Sequence, residues 1–405
     1  MHHSLDWIVM KPWSLITIAI ASLAGLTACA TAPGSSETEV AAPLADFTAQ
    51  DLFEDENVLI LLKSEQEANE LALNVSRRGY QLIERRNLEG LNLILLDFQR
   101  PFGVSDEVAV NDMKMMSPSA TVGLDSLYTT QAPYEMSNLG AAQVYANDLL
   151  GWPSEGCRAQ TAIGIIDGHL PDVPAGLVAD QIIRRNFMRG EAAASQHAEA
   201  VTKVILGPGR LHDATVYSAG VVGTSRSGSS GSGAKEIVLA LDWMQTEGVP
   251  LVNISLAGPY NPLLELAISQ VNGAGMVLVA AVGNEGPDAP PQFPAAFEPV
   301  IAVTAIDVER EIFRNAVRGT HVEYSAPGVD IFITAGAGDG RFVSGTSFAA
   351  PFITALIAAD PSHSFADSTS KVRAFLDQRT QDLGDLGPDP VFGRGMVRVG
   401  NACAR

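Results

Sequence analysis

From Thr161 onward the chain repeats one pattern. Short runs that are apolar on both faces alternate with stretches of helical spacing. "TAIGIIDG" (161–168), "PLVNISLAG" (250–258), "GMVLVAAVGN" (275–284) and "PVIAVTAID" (299–307) read as strands. A strand with no polar face has no surface to lie on, so these belong in a parallel sheet covered on both sides. The intervening "AKEIVLALDWMQTEG" (234–248) and "NPLLELAISQVNGAG" (261–275) supply helices to cover it. The pattern predicts an α/β fold with a doubly wound, mostly parallel sheet. Such a sheet places its chemistry outside the carboxyl ends of its strands.

A smaller α+β unit is expected ahead of this sheet, over residues 57–130. "NVLILLK" reads as a strand. "SEQEANELALNVSRRG" reads as a helix capped by Ser64, with Glu67 three residues later and Gly79 at its end. "YQLIERR" and "LNLILLDF" read as strands joined by a turn at 87–90. "VSDEVAVNDMKMMSP" reads as a helix with Ser105 at its cap, and "SATVGLDSLYTT" as one closing strand. The order β-α-β-β-α-β is ferredoxin-like. "SRSGSSGSG" (225–233) lacks the Lys-Ser/Thr of a phosphate loop and reads as a surface loop.

The N-terminus carries Lys11, then an uncharged apolar run of about 16 residues, shorter than the roughly 20 that span a bilayer. It reads as a signal peptide over 1–28; a membrane anchor is the competing reading. "LTAC" ends at Cys29 and resembles the bacterial lipobox, which implies lipidation of Cys29 and a membrane tether. By the same resemblance, Ala30 after the cysteine implies the outer membrane of a Gram-negative cell. Residues 29–56 are small, polar and Pro-containing, as a tether is. With Cys29 lipidated, Cys157 and Cys403 remain for an oxidising compartment. They read either as a disulfide or as two separate buried thiols. The formal net charge of −20 argues against nucleic-acid binding.

Polar residues gather at the predicted strand ends and helix starts. Asp167 ends a strand, Ser255 and Asn284 follow two others, and His197 and Ser347 begin helices. A serine hydroxyl attacks a carbonyl only with a base in reach, a carboxylate to orient the base, and donors for the oxyanion. His197, Asp167 and Asn284 are of the types those tasks need. "GTSFAAP" (345–351) puts Ser347 at the mouth of a helix and Pro351 just inside it. Proline is best tolerated in a first turn, and that is where Pro351 is expected. His169 and Asp172 read as loop residues rather than a metal pair. No Cys/His cluster has zinc spacing.

Taken together, residues from about 160 to 400 resemble the subtilisin-like serine proteases. "GTSFAAP" matches the nucleophile motif Gly-Thr-Ser-x-Ala-x-Pro, "AAVGNEG" (280–286) the oxyanion segment, and "NISLAGP" (253–259) the cleft-lining segment. "DPVFGRGMV" (389–397) resembles the closing segment, and the order Asp, His, Ser is the subtilisin order. The resemblance implies a catalytic domain over 131–405 that hydrolyses polypeptides through Asp167, His197 and Ser347, with Asn284 at the oxyanion. It implies substrate lying against Ser255, Leu256, Ala257 and Gly258, with Ala280, Ala281 and Gly283 as a small apolar wall. No cofactor is implied; calcium is common in the family, but no ligand set is assigned. Residues 57–130 would then be a propeptide, cut from the enzyme by itself between Ser126 and Pro133. Two departures stand out: no hydroxyl residue follows Asp167, and "HAEAVTK" replaces His-Gly-Thr-His-Val-Ala-Gly, bringing in Glu199 and Lys203. They motivate the alternative of an inactive, binding-only protein on the same fold.

Overall fold

The computed structural model describes residues 57–130, 145–177, 181–188, 195–224, 230–336, 339–360, 369–400 and Cys403. The expected signal peptide, the tether and Cys29 lie outside the described residues, as do residues 225–229 of the expected surface loop; its last four residues, Ser230–Gly233, are a strand instead. All described residues fall within one unit, Phe47–Arg405.

The strands in chain order begin with β1 (Asn57–Leu62), β2 (Gln81–Leu88), β3 (Leu93–Gln99), β4 (Thr121–Leu124) and β5 (Leu127–Tyr128). Next come β6 (Cys157–Arg158), β7 (Ile163–Gly168), β8 (Ile182–Asn186), β9 (Leu211–His212), β10 (Val216–Thr224) and β11 (Ser230–Gly233). The series continues with β12 (Leu251–Ile254), β13 (Val277–Ala281), β14 (Val300–Ile306), β15 (Tyr324–Pro327), β16 (Ile331–Gly336) and β17 (Asp339–Val343). It ends with β18 (Thr380–Gln381) and β19 (Met396–Val397). The helices are α1 (Glu65–Ser76), α2 (Asp106–Met116), α3 (Tyr145–Leu150), α4 (Gln196–Leu206), α5 (Ala234–Thr246), α6 (Pro262–Gly273), α7 (Thr346–Ala359) and α8 (Thr369–Asp377).

The large sheet runs β18-β19-β15-β14-β13-β12-β7-β10-β11-β5, with β8 also on β10. Its centre, from β10 through β7, β12, β13 and β14 to β15, is parallel throughout. The continuous apolar runs follow from burial on both faces. In β13, Val277, Val279 and Ala281 enter the core under α4 and α7, while Leu278 and Ala280 enter the core under α5 and α6. The two-residue period of a strand sorts each run between two cores. Cys157 and Cys403 form a disulfide, with Cα atoms 5.3 Å apart. It ties the entry of the main domain to its end, resolving the choice left open by the sequence.

Residues 57–124 build a four-stranded antiparallel sheet in the order β2-β3-β1-β4. Val58, Ile60, Leu62, Ile94, Leu96 and Phe98 face α1 and α2. Leu59, Leu61, Leu93 and Leu95 face the other way, into the same core as α5 and α6. Both helices begin as expected: Ser64 accepts from the Glu67 N–H at 3.2 Å, and Ser105 from the Val108 N–H at 3.4 Å.

The expected closing strand over 119–130 is two strands in two different sheets. The break falls at Asp125 and Ser126 because their polar atoms serve the next element. Asp125 Oδ1 accepts from the Lys235 N–H at 3.0 Å, in the first turn of α5, and the Ser126 carbonyl accepts from the Ala234 N–H at 3.0 Å. Asn261, the cap of α6, donates to the Leu124 carbonyl at 2.8 Å and to Ser126 Oγ at 3.0 Å. On its other side, Asp242 Oδ1 near the end of α5 accepts from the Leu91 N–H at 3.1 Å.

Asp125 retains some exposure as a residue, but its carboxyl is enclosed beside Glu236. A Cβ on Gly233 would collide with both carboxyls. Desolvation, then the Glu236 charge, push the Asp125 pKa from 3.8 up to about 7; the Lys235 N–H bond and charge oppose the shift, and Asp97 adds a smaller rise. A carboxyl raised in the folded state binds its proton more tightly than in the unfolded chain. Its contribution is therefore present below its ordinary pKa and is lost as pH rises. In a Ser347→Ala chain, thermal stability should fall between about pH 4 and pH 7 through this group and level off above. Asp125→Asn should flatten that window; an unchanged slope in the variant would remove Asp125 as its source.

Candidate active site

Asp167 is the penultimate residue of β7, fully buried, and its Oδ1 accepts from the Gly168 N–H at 2.6 Å. The His197 ring presents Nδ1 to both its oxygens, at 3.0 and 2.9 Å. His197 is 6% exposed and stands in the first turn of α4. Ser195 caps that helix: its Oγ accepts from the Ala198 N–H at 3.1 Å, and its own N–H donates to the His169 carbonyl at 2.9 Å. A Nδ1–H bonded to a carboxylate fixes the tautomer and leaves Nε2 as the free base. Nε2 is buried and has no hydrogen-bond partner among the described residues.

Both departures from the expected motifs have local causes. A Cβ on Gly168 would run into Ser195 Oγ and Cβ, so a hydroxyl residue has no room at 168. Ser195 already fills that space with a hydroxyl of its own. Lys203 is buried, and its Nζ donates to Glu199 Oε1 and to the Thr334 carbonyl, both at 2.6 Å. The helix carries its own counter-charge one turn back, which a buried ammonium requires.

Ser347 lies in the first turn of α7, behind an N-cap at Gly345 with φ 156° and ψ 159°. That backbone region is open essentially to glycine alone. Pro351 is not in the first turn, as expected, but in the second. There it withholds the N–H that would close a bond to the Ser347 carbonyl. Ser255 supplies the missing donor: its Oγ–H reaches the Ser347 carbonyl at 2.9 Å. Asn253 Nδ2 donates to Ser255 Oγ at 2.9 Å, and Thr354 Oγ1 donates to Asn253 Oδ1 at 3.2 Å. All four residues are buried, and together they clamp the end of β12 to α7. The Ser347 hydroxyl itself donates to the Ser255 carbonyl at 3.3 Å, and the His197 and Phe348 rings pack 5.2 Å apart.

Asn284 follows β13 and faces the same helix mouth. Its Oδ1 accepts from the Thr346 N–H at 3.0 Å and the Thr346 hydroxyl at 2.9 Å. Nδ2 is thereby turned toward Gly345, where an added Cβ would lie 3.1 Å from it. Gly283 has φ 102° and donates its N–H to Thr346 Oγ1 at 3.2 Å. Glu285, passed over in the sequence, brings its carboxyl over Gly283. Partial desolvation there raises its pKa against two backbone N–H bonds. Its place next to Asn284 in "GNEG" was the available signal.

Of the expected substrate-binding residues, those after β12 already hold a strand. The Thr129 N–H and carbonyl exchange bonds with Ala257 at 3.0 and 3.1 Å. On the opposite side, Leu127 and Tyr128 pair antiparallel with Gly233 and Ser232. Tyr128 is fully buried and its hydroxyl donates to the Pro259 carbonyl at 2.8 Å. Its ring lies so near Gly258 that a Cβ there would approach it to 2.6 Å. Leu256 is buried in the α5–α6 core. Ala280 and Ala281 point into the two cores rather than forming an open wall. Among the described residues no three His, Cys, Asp or Glu side chains are grouped to hold a metal, and no helix is long and apolar enough to cross a membrane.

Residues 188–395, just over half the chain, match the profile of the subtilase family, Peptidase_S8. The chain is 32% identical over 176 residues to subtilisin DY of Bacillus licheniformis, covering 42% of this chain and 63% of that protein. It is 30% identical over 190 residues to a thermostable alkaline protease of Halalkalibacterium halodurans, covering 47% of this chain and 50% of that protein. Among solved structures, fervidolysin from Fervidobacterium pennivorans, a keratinolytic enzyme related to subtilisin, superposes with a TM-score of 0.68 at 18% identity. The match covers 86% of this chain and 60% of that one.

The Ser255 hydroxyl completes a carbonyl that proline leaves open, so its loss strands a buried acceptor. Ser255→Ala should lower stability by about 1–3 kcal/mol in denaturant titration of the Ser347→Ala chain. A midpoint unchanged within error would show that the carbonyl is satisfied otherwise.

Proposed function

The chain belongs to the subtilase family, and on that basis we propose that it is an exported serine endopeptidase made with its own propeptide. The observation that carries the reading is the buried Asp167–His197 pair, whose Nε2 has no partner among the described residues and whose ring packs 5.2 Å from that of Phe348, next to Ser347. In this reading Ser347 Oγ attacks a peptide carbonyl and His197 Nε2 takes its proton. Asp167 stabilises the imidazolium that results. This reading requires the Ser347 side chain to turn away from the Ser255 carbonyl, to which it is bonded at 3.3 Å, toward that nitrogen. The Ser347 N–H and Asn284 Nδ2 hold the oxyanion, with Thr346 fixing the Asn284 amide from behind. His197 then returns the proton to the leaving amine, and water repeats the sequence on the acyl-enzyme.

Residues 57–130 act as the propeptide, a ferredoxin-like unit whose last strand occupies the cleft. Support comes from the position of Leu127–Thr129, hydrogen-bonded on both edges as an extended substrate would be. The self-cut is proposed between Ser126 and Pro133, a window that runs past the described residues at Gln131. Lipidation at Cys29 would place the anchor on the propeptide, so that maturation separates the catalytic domain from the membrane anchor. One observation favours the inactive alternative: the Ser347 hydroxyl is bonded to the Ser255 carbonyl rather than to His197.

A fluorophosphonate probe separates the two readings. Wild type should label and digest casein, and Ser347→Ala should do neither and should stay full-length. Asn284→Ala should still label while turnover falls about 10²–10³-fold. Failure of wild type to label after the propeptide is removed would leave the inactive reading standing.

A further inference from the structure

Among the described residues, the ion pairs that span the two parts separated by the proposed self-cut centre on Lys235. Asp97 stands on β3, on the face otherwise made of Leu93 and Leu95, and is fully buried. Lys235 stands in the first turn of α5 and is 3% exposed. Its Nζ lies 2.7 Å from Asp97 Oδ2 and 3.8 Å from Glu84 Oε2. Glu84 is the cross-strand partner of Asp97 on β2. The other interactions described across this face are apolar packing, bonds to backbone or to a neutral side chain, and the approach of the Asp125 and Glu236 carboxyls, a contact between like groups.

A buried ion pair adds little net affinity, since each charge loses its water on docking. Breaking it by removing one partner is a different matter, because the remaining charge stays buried and uncompensated. The pair therefore discriminates more than it attracts. A module with a neutral residue at position 97 would take from the buried Lys235 ammonium its nearest carboxylate and leave it the more distant Glu84, at 3.8 Å. A catalytic unit with no cation at 235 would leave the fully buried Asp97 without its ammonium.

We infer that the Asp97–Lys235 pair is a selectivity lock, by which the surface of α5 and α6 accepts its own N-terminal module and retains it after the connecting chain is cut. The lock rests on the proposed propeptide reading and deepens it, since retention of the module sets when the cleft becomes free. The partner it specifies is a β-sheet face with apolar side chains and one carboxylate placed to meet the Lys235 ammonium.

The test uses the full chain with Ser347→Ala and a recognition site for an added protease inserted between residues 131 and 144. After that protease cuts, the two fragments are followed by size exclusion and by dilution. The parent fragments should co-elute. Asp97→Asn and Lys235→Met should each weaken retention by about a hundredfold or more. Two double variants should recover at least about tenfold over the singles: Asp97→Lys with Lys235→Asp restores a pair, and Asp97→Leu with Lys235→Met removes both charges. Single variants that hold their module as the parent does, or double variants no better than the singles, would overturn the lock. Fluorophosphonate labelling of the wild-type chain is scored separately. Lost labelling with intact retention defeats the peptidase reading and not the lock.

Discussion

A strand covered on both faces can place a polar group along its middle only where a neighbour bonds it, so most of its polar groups stand at its ends. That constraint organises the molecule. β7, β12 and β13 are apolar along their middles except for Asn253, whose amide is bonded to Ser255 and Thr354, and each presents a polar side chain at or just beyond its carboxyl end: Asp167, Ser255 and Asn284. Because the strands run parallel, those exits lie on one edge. Two helices, α4 and α7, begin at the same edge and bring His197 and Ser347 to it. The gathered site follows from the burial of the sheet rather than from any attraction among its members.

Within that frame, the hydrogen bonds around Ser347 divide the work between backbone and side chain. Pro351 frees a carbonyl, and the network from Thr354 through Asn253 and Ser255 takes it up. Thr346 does the same for Asn284, holding its oxygen so that its nitrogen faces the helix mouth. Buried polar groups satisfied in this way are rigid, and rigidity is what a site needs if donors are to meet charge only as it develops.

The parallel sheet was legible because continuous β-branched runs admit few other placements. The helix caps at Ser64 and Ser105 were legible because capping is decided by three or four neighbouring residues. Contacts between distant segments were not. The break at Asp125 depends on the first turn of α5, more than a hundred residues later, and nothing around "LDSLYTT" announces it. Pro351 misled for a related reason: its tolerance in a second turn depends on a hydroxyl from another strand. Lys203 and Glu199 lay one turn apart in plain view, but the carbonyl of Thr334 that completes their arrangement did not.

Gly168 and Ser195 share one small volume. Whichever of the two carries the hydroxyl, the other must be bare, so neither position can drift alone. An exchange that put serine at 168 would be accepted only alongside glycine at 195, and the cap of α4 would then have to come from elsewhere. The two positions are coupled by space, and the residue at 168 limits what can stand two places before the histidine.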